Sequence, residues 1–261
     1  RRVLFRSLVL HLHLSPGRPG QGGAAVLSLE GSGGSLHRRG WRAAMGLAPL
    51  KESLAAGLIA LTGWDGRVPL LDPLCGSGTL LLEAAAHALG RAPGLTAAGE
   101  PQRCGFLAWA DHDAVLWRQA VSEARAQGRS VLADGRPLAP LIGIDRDPAV
   151  VEQARANAAA AGLSDHVRFE TGDFRDLQPP AGPGVLVCNP PYGVRIGGDD
   201  DLESLYSDLG ATLKQRCGGW TLWLLSGNPA LSGALRMKAS RRIPISNGGI
   251  DCRWLRYELR P

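Results

Sequence analysis

Apolar and polar residues alternate along this chain with two different periods. Residues 8–14 (LVLHLHL) and 24–30 (AAVLSLE) alternate with a period of two, which predicts two strands joined as a hairpin across the loop SPGRPGQGG. After the turn GSGGS and the basic segment LHRRGWR, residues 48–64 change period. Leu50, Leu54, Leu58 and Leu61 line one face of an amphipathic helix, with Pro49 in its first turn.

From residue 68 the pattern becomes strand, helix, strand. Residues 68–72 (VPLLD) read as a short apolar strand, PLCGSG as a glycine turn and residues 79–89 as a helix. The next 50 or so residues are less regular, with one helix across residues 113–128. The pattern then resumes with a strand at 138–145, and with a helix that Asp147 caps, Pro148 opens and Gly162 closes. Strands follow at 166–173, 184–189 and 219–227, with helices at 200–217 and 229–237. RRIPIS and DCRWLRYEL, joined by NGG, close the chain as an antiparallel hairpin. The expected fold class is therefore α/β: a doubly wound, mostly parallel Rossmann-like sheet with an antiparallel edge hairpin, preceded by a short β-hairpin.

Length and composition agree with this pattern. A chain of 261 residues suffices for one large α/β domain with a substantial core. Its 44% hydrophobic and 20% charged residues exclude wholesale disorder. No apolar run approaches the roughly 20 residues of a membrane helix and no signal-peptide pattern appears, so a cytoplasmic location and no membrane partner are expected. Cys75, Cys104, Cys188, Cys217 and Cys252 are scattered, with no C-x-x-C pair and no His at ligand spacing, so reduced thiols and no metal are expected.

Charge alters the picture only after it is divided. The chain begins with Arg, and residues 1–7 (RRVLFRS) look like the translation of a common sequencing-adapter oligonucleotide. Arg1, Arg2 and Arg6 supply three of the net +5, so a globally basic nucleic-acid binder is not evident. Residues 8–67 balance at +3, residues 68–235 at −6 and residues 236–261 at +5. An acidic body between basic ends suits a cationic or neutral cofactor in the middle and a polyanion at the edges; solvated faces of no special purpose fit equally.

Four acid or amide positions fall at the carboxyl ends of successive strands: Asp72, Asp145, Asp173 and Asn189. In an open α/β sheet that edge is where ligands bind. In DPLCGSGT, Gly76 and Gly78 allow a tight turn, and the helix from Thr79 aims its N–H groups into it. The turn lacks the full dinucleotide fingerprint and a phosphate-loop lysine, which disfavours a pyrophosphate. A ligand with both a carboxylate and an amine suits it, the amine meeting Asp72. Asp145 could accept two ribose hydroxyls, and Asp173 an adenine amine with Phe174 against the ring. The alternatives are a helix cap, a role for which Asp147 is better placed, and a solvated turn. An amino-acid end, a ribose and an adenine in one row describe S-adenosylmethionine.

NPPY follows the fourth strand. Proline donates no hydrogen bond and fixes φ, so Pro190 and Pro191 end the pairing and stiffen the loop. The Asn189 side-chain oxygen and the Pro190 carbonyl can each accept one N–H of an exocyclic amine, while Tyr192 stacks on the base. Orientation would then supply most of the rate, with no strong general base.

DPLCGSGT, IDRDP, TGDFRD and NPPYG, in this order, resemble the motifs of class I S-adenosylmethionine-dependent amino-methyltransferases. SLHRRGWR with APLKE, the pieces RAPGL and LWRQA, and the tail RRIPISNGGIDCRWLRYEL further resemble the bacterial large-subunit ribosomal RNA guanine-N2 methyltransferases of the RlmL type, across residues 24–261. The resemblance implies a seven-stranded methyltransferase sheet over residues 48–261. Residues 8–47 would be a hairpin and basic linker, the trailing edge of an RNA-binding THUMP region absent from this chain. It implies cofactor contacts at Asp72, Cys75, Gly76, Ser77, Gly78, Thr79, Asp145, Arg146, Asp173, Phe174 and Asn189, and catalysis at Asn189, Pro190, Pro191 and Tyr192. Cys75 and Cys188 would be small packing residues. Read from the residues themselves, His37, Arg38, Arg39 and Arg42 around Trp41 could meet the phosphates and stack on a base of RNA, 23S ribosomal or transfer; a basic linker with Trp41 packed on the domain is the alternative, and a mixed role is expected, with Trp41 packed and at least one Arg reaching RNA or the cofactor cleft. Because NPPY alone is shared with adenine-N6 methyltransferases of DNA or RNA, that target remains open, as does a non-catalytic RNA-binding remnant. Trp109, Trp117, Trp220, Trp223 and Trp254 fall in helix or strand patterns and are expected in the core. Asp199, Asp200 and Asp201 form a solvated run at a helix N-terminus.

Overall fold

The structure, a computed structural model, describes residues 9–17, 22–42, 50–102, 104–192 and 199–260, with side chains from Leu202 onward in the last segment. Residues 1–7, Pro49 and the side chains of Asp199, Asp200 and Asp201 lie outside the described residues. The leading hairpin forms as the alternation predicts, from β1 (Leu10–Ser15) and β2 (Ala24–Leu29). Leu10 faces Leu29 and Leu12 faces Leu27, so one side of the ribbon is apolar, and it is exposed.

The main sheet combines β3 (Leu70–Asp72), β4 (Leu141–Asp145), β5 (Val167–Thr171), β6 (Val185–Cys188), β7 (Thr221–Ser226), β8 (Arg241–Asn247) and β9 (Ile250–Glu258). Its order is β5-β4-β3-β6-β7-β9-β8, parallel from β5 to β7 and antiparallel where β9 meets β7 and β8. The winding reverses between β3 and β6, which opens a crevice at the carboxyl ends of those strands. β3 and β4 begin later than the apolar runs predict, directly after Pro69 and Pro140. Neither proline can donate to the ladder, yet their carbonyls accept from Val185 and Leu70. Pro244 is tolerated inside β8 because β8 is the edge strand.

Helices α1 (Glu52–Thr62), α2 (Thr79–Ala88), α3 (Ala114–Gln127), α4 (Pro148–Ala160), α5 (Asp199–Arg216) and α6 (Pro229–Ala234) complete the winding. One core layer contains Leu58, Leu81, Val151, Phe169 and Trp254; the other, across the sheet, contains Leu71, Phe174, Tyr206 and Leu222. The buried face of α1 differs from the expected leucine stripe. Glu52, Ala55, Leu58 and Ile59 are inside while Leu61 is exposed, because Glu52 turns inward to meet Arg42.

Trp220, Trp223 and Trp254 are buried as expected, the last two stacked with centroids 5.8 Å apart. Trp109 and Trp117 are not in the core. They are half-buried around Phe106, at 6.4 and 5.1 Å, in a satellite cluster between the 3₁₀ turn Gly105–Ala108 and α3, where no sheet strand covers them. Among the described residues no helix is long and apolar enough to cross a membrane.

Candidate active site

The glycine turn between β3 and α2 is held from three directions. The Cys75 amide donates to the Ile144 carbonyl (2.9 Å), the Gly76 amide donates to Asp145 Oδ2 (3.0 Å), and Asn157 Nδ2 of α4 donates to the Ser77 carbonyl (3.1 Å). Gly78 precedes α2 with φ +81°, and a Cβ there would lie 2.4 Å from the Phe169 ring. Glycine is required at this position both by conformation and by space. Among the described residues no side chain caps α2, so the first N–H groups of the helix point into the turn without a capping partner.

All four predicted acid and amide positions lie at or just past the carboxyl ends of the neighbouring strands β5, β4, β3 and β6. Asp72 ends β3, between Asp145 at the end of β4 and Asn189 just past β6. Asp72 is buried; desolvation, reinforced by the nearby negative charge of Asp145, pushes its carboxyl up to about 8. Asp145 uses one oxygen on Gly76 and the other on the Asp147 amide (3.1 Å), and each oxygen keeps a second lone pair. Asp147 caps α4 through Ala149, so the capping role falls to it as expected. Arg146 is exposed beside Asp145. The Cys75 and Cys188 thiols are buried and pushed up by desolvation, which makes them inert packing groups.

At the end of β5 the geometry corrects one expectation. Asp173 caps the short turn Phe174–Asp176 by accepting from the Arg175 amide, and accepts two further bonds from the Arg175 guanidinium, which also reaches Asp208. Phe174 does not face the edge. Its ring is 3% exposed in the core, and the Arg175 guanidinium lies over it at 4.8 Å, so it has no face to offer a ligand.

The NPPY loop contains one orphan. Asn189 Oδ1 is buried and has no hydrogen-bond partner among the described residues, which is costly unless a donor arrives. The loop around it is fixed. Tyr206 donates to the Pro191 carbonyl (3.2 Å), so Pro191 does more than stiffen the chain, and Asn247 Nδ2 donates to the Tyr192 hydroxyl (2.6 Å). Tyr192 is half-buried and its phenol is pushed up to about 12 by desolvation, so it stays neutral. Sequence reasoning missed Asn157, Tyr206 and Asn247, which hold the two loops from helices and a hairpin distant in the chain.

The basic linker is mostly structural. Arg39 donates from Nε and Nη2 to both oxygens of Glu83 (3.1 and 3.2 Å), with both side chains largely buried. Arg42 Nη2 reaches the Leu50 carbonyl (3.0 Å) and the Thr79 hydroxyl (3.1 Å). Its Nε lies 3.1 Å from Glu52 as an ion pair that lacks hydrogen-bond alignment. Trp41 is buried. Arg39, Trp41 and Arg42 are therefore committed to packing, and Arg42 touches the start of α2 next to the glycine turn. Arg38 is exposed and His37 half-exposed.

This chain matches the family described as "UPF0020: RMKL-like, methyltransferase domain" over residues 39–256. A Synechocystis protein described as a "putative RNA methyltransferase" is 46% identical over 233 residues, which is 89% of this chain and 58% of that protein. A solved "putative methyltransferase complexed with SAH" superposes with a TM-score of 0.80 at 30% identity, over 92% of this chain and 59% of the other. A "predicted N6-adenine-specific DNA methylase" from Listeria monocytogenes gives 0.78 at 32% identity, over 91% and 58%. The chain thus spans rather more than half the length of each of these relatives.

Proposed function

The chain belongs to the RMKL-like methyltransferase-domain family, and on that premise we propose that it methylates the exocyclic N2 amine of a guanine in RNA, probing its substrate through the NPPY loop. The observation that carries this reading is the Asn189 Oδ1 at the crevice edge, buried and without a partner among the described residues. An amine N–H is the donor it lacks.

S-adenosylmethionine is the cofactor, and the residues present fit it: an uncapped helix N-terminus, a buried acid and a second acid stand in one row. When bound it supplies an electrophilic methyl group. The N–H groups of the first turn of α2 hold its carboxylate and Asp72 its amine, Asp145 accepts from the ribose, and Asp173 from the adenine amine. Asn189 Oδ1 and the Pro190 carbonyl each take one N–H of the target amine, which turns the nitrogen lone pair toward the methyl carbon. With the cofactor bound, the nitrogen would take the methyl group, the electron pair of the broken C–S bond would stay on sulfur, and the amine proton would pass to water. Tyr192, neutral and fixed by Asn247, stacks on the flipped base.

Guanine is chosen because the linker and tail resemble the RlmL type, which also favours ribosomal RNA over transfer RNA. Residues 8–47 are then the edge of a THUMP-containing region, and the exposed leucines of the β1–β2 ribbon support this as a face built to be covered. A second reading, adenine-N6 in DNA or RNA, draws on the Listeria neighbour and uses the same loop. Methyl transfer from labelled cofactor to RNA and to DNA of the same sequence, followed by digestion to nucleosides, distinguishes them: labelled N2-methylguanosine from RNA is expected, and labelled N6-methyladenosine from either polymer would overturn the reading.

A further inference from the structure

The closing hairpin is longer than the sheet it borders. β7 ends at Ser226, opposite Arg253 of β9. Three further pairs, Ile245 with Cys252, Ser246 with Asp251 and Asn247 with Ile250, carry β8 and β9 past that point. Since β7 is parallel to β3 and β6, this overhang projects beyond the carboxyl edge, where Asn189 lies. Its tip is joined to the loop there by the bond from Asn247 to Tyr192 (2.6 Å).

Between the overhang and α6 lies a groove of about 860 Å³ that the methyl-transfer machinery does not use. Ser226 and Gly227 form its inner end. A Cβ on Gly227 would come within 2.6 Å of the Tyr192 ring, so the groove ends against the aromatic proposed to hold the base. Arg242 and Arg253 stand on its sheet wall. Their partners in the ladder, Leu255 and Pro244, put both on one face, and both are exposed. Among the described residues neither has a carboxylate partner, while Asp251 near the tip is the acid that also lines the groove. The surrounding residues 236–261 carry seven Lys or Arg against two acids.

We propose that this groove holds the sugar-phosphate backbone of the RNA strand flanking the target nucleotide, with Arg242 and Arg253 each meeting a phosphate. The inference rests on the reading above, that the substrate is RNA. A guanidinium fork matches phosphate oxygens in geometry, and two such contacts beside Tyr192 would fix the register from which one base is turned out. Asp251 repels a backbone that strays toward the tip, which confines the strand to the inner part of the groove.

The test is RNA binding against salt for the full chain, its Arg242→Gln and Arg253→Gln variants, and Arg168→Gln at the opposite edge of the sheet as a control. Each groove substitution is expected to make the slope of log K on log salt shallower by about 0.7, the single-strand value for one lost phosphate contact. Cofactor titration of each variant, expected to match wild type, shows that the fold and the cofactor turn are intact. Wild-type slopes in both groove variants, or an equal loss in the Arg168 variant, would overturn the groove while leaving the RNA reading in place. A wild-type chain that binds DNA but no RNA would overturn both.

Discussion

Asn157, in the last turn of α4, donates a 3.1 Å hydrogen bond to the carbonyl of Ser77, 80 residues earlier in the chain. The amide is fully buried, and it fixes the glycine turn together with the bond from the Gly76 amide to Asp145. Replacing it with Ala leaves that carbonyl unpaired at a cost of about 1–3 kcal/mol. Asn157→Ala is therefore expected to lower the urea midpoint and to weaken S-adenosylmethionine about tenfold by calorimetry.

Asp72 makes the cofactor-free chain sensitive to pH. Its carboxyl titrates at about 8 when folded, against 3.8 ordinarily. Between those values the folded state holds one proton more than the unfolded state, so stability falls as pH rises from about 4 to about 8 and is level above. Asp72→Asn is expected to melt higher than wild type at pH 8, with the two converging toward pH 4.

The same group predicts a proton released on cofactor binding. An ammonium placed against Asp72 favours its ionised form, so binding near pH 7 is expected to release about one proton. Titration in buffers of different ionisation enthalpy measures this directly. Asp72→Asn is expected to release none and to bind more weakly.

Arg39 and Glu83 are predicted to matter for stability and not for RNA. Both are largely buried and paired, and removing one leaves the other's charge uncompensated, a loss of about 3–5 kcal/mol. Arg39→Ala is expected to lose that much in denaturant unfolding. The exposed Arg38, changed to Ala, is expected to keep wild-type stability and lose RNA affinity instead.

What could be read in the sequence was local. Alternation and proline placement gave the order of strands and helices, and Pro148 and Asp147 marked the start of α4. The row Asp72, Asp145 and Asn189 was legible because each ends an apolar run, and parallel pairing of those runs makes them neighbours. Long-range side-chain partners were not legible. Nothing in a helix pattern distinguishes Asn157 from a solvated amide, and the linker arginines stay open between RNA and packing until Glu83 and Glu52 prove to be turned inward toward Arg39 and Arg42. Phe174 misled for the same reason: an aromatic after a strand end can face the cleft or the core, and only the packing of Arg175 over it decides.

The central claim is that Asn189 holds the exocyclic amine of a guanine. The most direct measurement incubates the chain and its Asn189→Ala variant with labelled cofactor and ribosomal RNA, digests the product to nucleosides and identifies the labelled one. The account predicts N2-methylguanosine from the wild type, and none from a variant that still binds S-adenosylmethionine. N6-methyladenosine as the product, or undiminished turnover in the variant, would contradict it.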